Sequence, residues 1–121
     1  MIKAIKFANV PVRDQQRALE FYTRKLGLQI MTDQAMGPGQ RWIELAIPGA
    51  ETELVLFTVP GQEDRIGTFQ NITFVSDNVE KTYTELTAKG VEFVQPPKKE
   101  PWGTSAIFKD SEGNQFVIGT K

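Results

Sequence analysis

The chain has 121 residues, with 14 Lys and Arg against 15 Asp and Glu, a formal net charge of −1, and neither Cys nor His. These counts exclude disulfides, thiolate nucleophiles, Cys/His metal sites and Ser-His-Asp chemistry within the chain, and the balanced charge leaves no electrostatic footprint for nucleic acid. Its 40% hydrophobic and 24% charged residues are those of a folded globular chain, in which only oxygen donors could hold a metal and no apolar run approaches the roughly 20 residues of a membrane span.

Residues 5–12 read as a strand, in which Val10 and Val12 alternate with Asn9 and Pro11. Asp14 has the chemistry of a helix N-cap, and Ala18, Phe21, Tyr22 and Leu26 recur at helical spacing before Gly27 stops the helix. A short strand follows over 28–32, then a loop over 33–40 containing Gly37-Pro38-Gly39. Strands are predicted over 41–47 and 52–59, joined by the turn Pro48-Gly49-Ala50, and a polar connection over 60–67 is the best internal boundary. The pattern then restarts with a strand over 69–75. Asp77 is read as a second N-cap, and Val79, Thr82, Tyr83 and Leu86 form a helical stripe that stops at Gly90. A strand over 91–94, a stiff proline loop over 96–101, and strands over 102–108 and 114–119 complete the chain, the last two joined by the turn Asp110-Ser111-Glu112-Gly113.

Both halves thus run strand–helix–strand–strand–strand, with modules at about 1–60 and 67–121 in a single domain 1–121. Each alone is too small to bury much core. The expected architecture is α+β: two βαβββ modules sharing a curved mixed sheet, helices on the outer face and a concave cleft on the inner one.

This layout, with Val12, Asp14, Ala18, Phe21, Tyr22, Leu26 and Gly27 in the first half and Asp110, Gly113 and Asn114 before the last strand, resembles the vicinal oxygen chelate superfamily. It is most similar to the small glyoxalase/bleomycin-resistance/dioxygenase-type domains, and the resemblance spans nearly the whole chain. It implies a homodimer. It also implies four metal-ligand positions, usually His or Glu, on four cleft-facing strands. Carried onto this sequence, they fall at Phe7 or Asn9, near Leu56 with Val55 and Phe57 beside it, at Asn71 and at Val117. None is a His, Asp, Glu or Cys, and carboxamides and hydrocarbon do not replace such donors. No metal or other cofactor is therefore expected.

Alternation places Trp42, Glu44 and Ala46 on the cleft side of one strand, Phe7, Asn9 and Pro11 on another, and Asn71 and Thr73 on a third. Trp42 and Trp102 either stack on a flat ligand, with Trp102 closing one end, or fill the core. Glu44 either faces solvent or sits in an apolar hollow, where it would hold a cation or act as a catalytic base. Asn9 and Asn71 occupy related positions and either orient a ligand or pair with each other. Tyr22 belongs to helix packing.

Three functions compete. The first is metal-independent binding, including drug sequestration, of a small apolar or aromatic molecule by Phe7, Asn9, Trp42, Glu44, Leu56, Asn71, Thr73, Trp102 and Val117. The second is a glyoxalase-like lyase, isomerase or dioxygenase-related enzyme with a non-classical site built on Glu44. The third is a purely structural or regulatory dimer. No nucleic-acid or membrane partner is expected. The N-terminus, which lacks a long apolar stretch, leads to an expected cytoplasmic location.

Overall fold

The computed structural model describes all 121 residues. The chain divides into two compact units, Met1–Ile66 and Gly67–Lys121. The division falls inside the polar connection over 60–67.

In the first unit, strand β1 (Phe7–Val10) leads into helix α1 (Gln15–Glu20), followed by β2 (Gln29–Ala35), β3 (Arg41–Ala46) and β4 (Glu53–Leu56). The sheet order is β1-β4-β3-β2, with β1 parallel to β4 and the other neighbours antiparallel. A parallel pair cannot be closed by a tight turn, so α1, β2 and β3 together form the crossover. Asp14 caps α1 as expected, accepting a 3.1 Å bond from the Arg17 N–H. The helix then widens into a π-helical turn over Phe21–Lys25, where the Leu26 N–H reaches the Phe21 carbonyl at 3.3 Å. A 3.6-residue spacing does not register that widening. Gly27, at φ +77°, ends the helix.

The helix side of this sheet is the core. Val10, Ala18, Tyr22, Ile43, Leu45 and Leu56 are fully buried there, and Phe21 meets Tyr22 edge-on at 5.3 Å. Gln15 ties the ends of β3 and β4 together: its amide nitrogen donates to the Arg41 and Leu56 carbonyls at 2.6 and 2.8 Å, and its oxygen accepts from the Arg41 N–H. Pro11, expected on the cleft side, is buried instead.

The second unit repeats this plan with β5 (Phe69–Val75), α2 (Val79–Ala88), β6 (Phe93–Glu100), β7 (Gly103–Lys109) and β8 (Gln115–Gly119), in the order β5-β8-β7-β6. Each four-stranded sheet closes its hydrogen bonds within its own unit, so the α+β class and the module layout stand, as two mixed sheets. The N-cap of α2 is Asn78 rather than Asp77; Asn78 Oδ1 accepts from the Lys81 N–H at 3.0 Å. The core on the helix side is aromatic. Phe108 stacks on Phe116 at 5.6 Å, Phe74 and Phe93 pack around them, and Tyr83 of α2 meets Phe93 edge-on at 4.7 Å.

The expected proline loop over 96–101 is largely strand. Pro96 and Pro97 lie within β6 at the edge of its sheet, in the irregularity where pairing with β7 steps from Gln95↔Ile107 to Lys98↔Ser105, the kind of place where strand prolines are tolerated. The register with β7 shifts on both sides of Gln95. The Asp110–Asn114 turn is a buried polar knot. Asp110 accepts from the Glu112 and Asn114 N–H groups at 2.8 and 2.9 Å and from the Asn114 amide at 3.0 Å; Asn114 Oδ1 in turn accepts from the Gly67 N–H and the Gln70 amide. These bonds fasten the start of β5 to the β7–β8 turn, which gives this motif a structural role. No helix is long and apolar enough to cross a membrane.

Candidate functional site

The face of the first sheet opposite α1 carries three aromatic rings that the core does not use. Phe7 lies on β1, Trp42 on β3, and Phe57 directly after β4. Strand alternation turns each away from the buried set Val10, Ile43, Leu45 and Leu56. Trp42 sits between the other two, 6.0 Å from Phe7 and 5.6 Å from Phe57 between ring centroids. Together with Asn9, Val55, Val59, Gln62 and Arg65 they line an open hollow of about 340 Å³ that lies wholly within this unit. Asn9 is anchored by donating its amide to the Phe57 carbonyl at 2.7 Å, so the backbone at Phe57 is fixed by the strand that also carries Phe7. Mostly apolar walls with a few polar groups are the usual chemistry of a small-molecule pocket.

Glu44 lies beside this hollow, outside its lining. Its Oε1 accepts from the Trp42 indole N–H at 2.9 Å, and its Oε2 accepts from the Thr32 hydroxyl at 3.3 Å. Trp42 and Glu44 are two residues apart on one strand face, and Thr32 is opposite Glu44 on β2. The carboxylate therefore orients the indole ring, and the indole N–H is spent on this bond. Arg41 faces the other way, as alternation predicts, and chelates Asp33 through Nε and Nη2 at 3.0 and 2.6 Å. That hydrogen-bonded guanidinium holds the Asp33 carboxyl below its usual range, despite the opposing effect of partial burial.

The other expected ligand residues are distributed differently. Leu56 is fully buried on the helix side, and its neighbours Val55 and Phe57 occupy the hollow in its place; the register Val10↔Leu56 and Asn9↔Val55 fixes this. Thr73 and Val117 are partners in the second sheet, in a row with Ile107. Asn71 is exposed and left-handed at φ +56°, within the register shift between Phe69 and Thr73. Its relation to Asn9 is not the one alignment suggests. The row Asn9–Val55–Glu44 in the first sheet corresponds to Thr73–Val117–Ile107 in the second. Asn9 therefore matches Thr73, and Phe7, opposite Glu53, matches Phe69, opposite Gln115, with Asn71 in the register shift between Phe69 and Thr73. Trp102 is 82% exposed at the β6–β7 turn of the second unit.

The ligand positions implied by family resemblance thus present carbon and amides, and Thr73, which matches Asn9, adds one hydroxyl. No group of three or more carboxylates converges anywhere in the chain. This donor set does not fit a divalent ion. Val59 reads only as the last residue of a strand, and Gln62 and Arg65 of the hollow were not anticipated, because 60–67 reads as a plain polar connection. The 3₁₀ turn over Glu63–Arg65 brings them to the rim. The phase of β4, continued two residues past Phe57, reaches Val59.

The family model for the Glyoxalase/Bleomycin resistance protein/Dioxygenase superfamily matches residues 4–118. The chain belongs to this superfamily. It is 39% identical over 118 residues to the uncharacterized protein YetH of Bacillus subtilis (strain 168), covering 98% of each chain. A superfamily member from Sphaerobacter thermophilus DSM 20745 superimposes with a TM-score of 0.89 at 31% identity, over 99% of this chain and 98% of that one. TnmS3, an antibiotic binding protein from Streptomyces sp. CB03234, superimposes with a TM-score of 0.87 at 32% identity, over 98% of this chain and 96% of that one. As a superfamily member with this donor set, the chain keeps the fold and carries an aromatic hollow on one sheet.

Proposed function

We propose that this protein binds a small, largely apolar aromatic molecule without a metal and releases it chemically unchanged, as a sequestering protein does. The observation that carries this reading is the set Phe7, Trp42 and Phe57 around the hollow. Three rings held on a face that contributes nothing to the helix-side core are a stacking surface for a flat guest. TnmS3 is an antibiotic binding protein of the same fold, which supports the same class of role here.

The competing enzymatic reading needs Glu44 as a base. Its carboxylate is engaged by Trp42 and Thr32 and lies outside the lining, which favours binding. The open hollow also counts against a purely structural role. The proposal includes a cytoplasmic homodimer, which sedimentation equilibrium at twice the monomer mass would support.

The test uses N-phenyl-1-naphthylamine, a neutral fluorescent aromatic. Its titration is expected to quench Trp42 fluorescence and raise the melting temperature. At a free concentration of 100 times Kd the stabilisation is about 2.7 kcal/mol. Binding should persist in EDTA, with the compound recovered intact. A Trp42→Ala variant that binds as well as the native protein, or turnover of a carbonyl substrate that is lost in Glu44→Gln, would overturn the reading.

A further inference from the structure

We propose that the hollow selects aromatic molecules bearing a hydroxyl or another uncharged O–H or N–H donor, and that Asn9 Oδ1 is the acceptor that reads it. The inference rests on the small-molecule reading above and deepens it. Asn9 is half-buried in the wall, on the face of β1 opposite Val10. Its Nδ2 lies 2.7 Å from the Phe57 carbonyl oxygen. A carbonyl only accepts, so this contact fixes which end of the carboxamide is nitrogen. One amide hydrogen is spent there, and the other stays on the same nitrogen. Oδ1 is the opposite end of the group, and no protein donor reaches it. Nor is it sealed in the core, since Ser111 Oγ is the one buried side-chain polar atom without a partner. Oδ1 is therefore a lone-pair site, fixed in orientation and open to a guest.

The remaining polar side chains of the wall do not share that role. The Trp42 indole N–H donates to Glu44, which lies outside the lining. Gln62 Oε1 accepts from Arg65 Nη1 at 2.9 Å, so what Gln62 keeps for a guest is its amide hydrogens. Gln62 and Arg65 are exposed at the rim, where water competes for the same bonds. Their hydrogens would also serve any guest oxygen, hydroxyl and ether alike. Asn9 Oδ1 separates those two guests, because it needs a hydrogen to receive. A polar atom that gives up water to a guest and finds no hydrogen there is left unpaired. That asymmetry is how a site discriminates against an analogue lacking its hydroxyl.

The test compares 2-naphthol with 2-methoxynaphthalene by isothermal titration calorimetry. The ether keeps the rings and the oxygen and carries methyl in place of the hydroxyl hydrogen, and both compounds are uncharged at pH 7. Burial of the added methyl favours the ether, so tighter binding of the naphthol reports the hydrogen bond. The native protein should bind 2-naphthol about fivefold more tightly, as for one neutral hydrogen bond partly open to water. Asn9→Leu and Asn9→Asp both lose the tether to Phe57, and only the first also loses the acceptor. The preference should vanish in Asn9→Leu and persist in Asn9→Asp, a split that a merely structural Asn9 would not produce. Trp42→Ala should weaken both compounds, which separates the hollow from non-specific surface binding. Equal affinities in the native protein, a preference lost in Asn9→Asp, or one unchanged in Asn9→Leu sinks the donor selection; with both compounds still dependent on Trp42, the binding reading stands. The first two of these outcomes are readable even where Asn9→Leu does not fold. Binding of neither compound, or binding indifferent to Trp42, sinks both.

Discussion

The two units share one strand order, yet most of their strand-borne aromatic rings lie on opposite faces. In the second unit Phe74, Phe93, Phe108 and Phe116 lie under α2 and make the core. In the first, that layer is mainly aliphatic, with Phe21 and Tyr22 supplied by the helix, and Phe7, Trp42 and Phe57 lie on the other side. The matched registers make the contrast specific. Trp42 and Phe57 correspond to Ser105 and Gly119, which carry no ring, whereas Phe7 corresponds to Phe69. An identical scaffold folds with or without rings at the Trp42 and Phe57 positions of that face. The rings of the first unit are therefore free to serve a guest, whereas those of the second serve stability.

The sharpest way to break this contrast is to truncate one ring on each side. Phe116→Ala, at a fully buried site, should cost about 3–5 kcal/mol in urea unfolding. Phe57→Ala, half-buried on the ring-lined face, should cost about 1 kcal/mol and remove most probe binding. Equal losses of stability would end the distinction between the faces.

Next in size is the polar knot of the second unit. Asn114→Ala removes the acceptor of the Gly67 N–H and the Gln70 amide and should cost about 3 kcal/mol, with binding by the first unit retained in the folded fraction. Chemical denaturation combined with N-phenyl-1-naphthylamine titration checks both parts.

A smaller effect is expected from Asp33, whose carboxyl is held low by Arg41. A lowered folded-state value stabilises above the unfolded value of about 3.9 and is lost as pH falls through the folded one. Asp33→Asn should therefore cost at most about 1 kcal/mol at pH 7, because the pair is partly solvated, and nothing once the carboxyl is protonated. Stability measured against pH in both proteins should converge only on the acid side.

The smallest effect belongs to Glu44→Gln. A carboxamide oxygen still accepts from the Trp42 indole, so stability should change by less than about 0.5 kcal/mol and probe affinity by less than about twofold. A large loss of binding would make this carboxylate a direct contact after all.

The fold was legible because its signals are local. Val10 and Val12 alternate, Asp14 and Gly27 bracket the first helix, and Gly90 closes the second. The site was legible in part. Alternation along β3 correctly turned Trp42 and Glu44 away from Ile43 and Leu45. It could not resolve Leu56 from Val55 and Phe57, because a strand read one residue out of phase exchanges its faces. Asn71 was matched to Asn9 by residue type, whereas the bulge in β5 shifts the true match to Thr73. Arg65 and Gln62 lie in a segment without periodicity, and only the tertiary path of the chain after β4 brings them to the rings. The strand over 96–101 was hidden by Pro96 and Pro97, since proline is compatible with a strand only at a border that the sequence does not reveal.

Those two prolines also limit what the second sheet can recruit. With no amide hydrogen at either position, and Lys98 and Lys99 following, the outer margin of β6 offers an invading peptide a broken and positively charged seam. Addition of a further strand along that border is disfavoured by covalent structure.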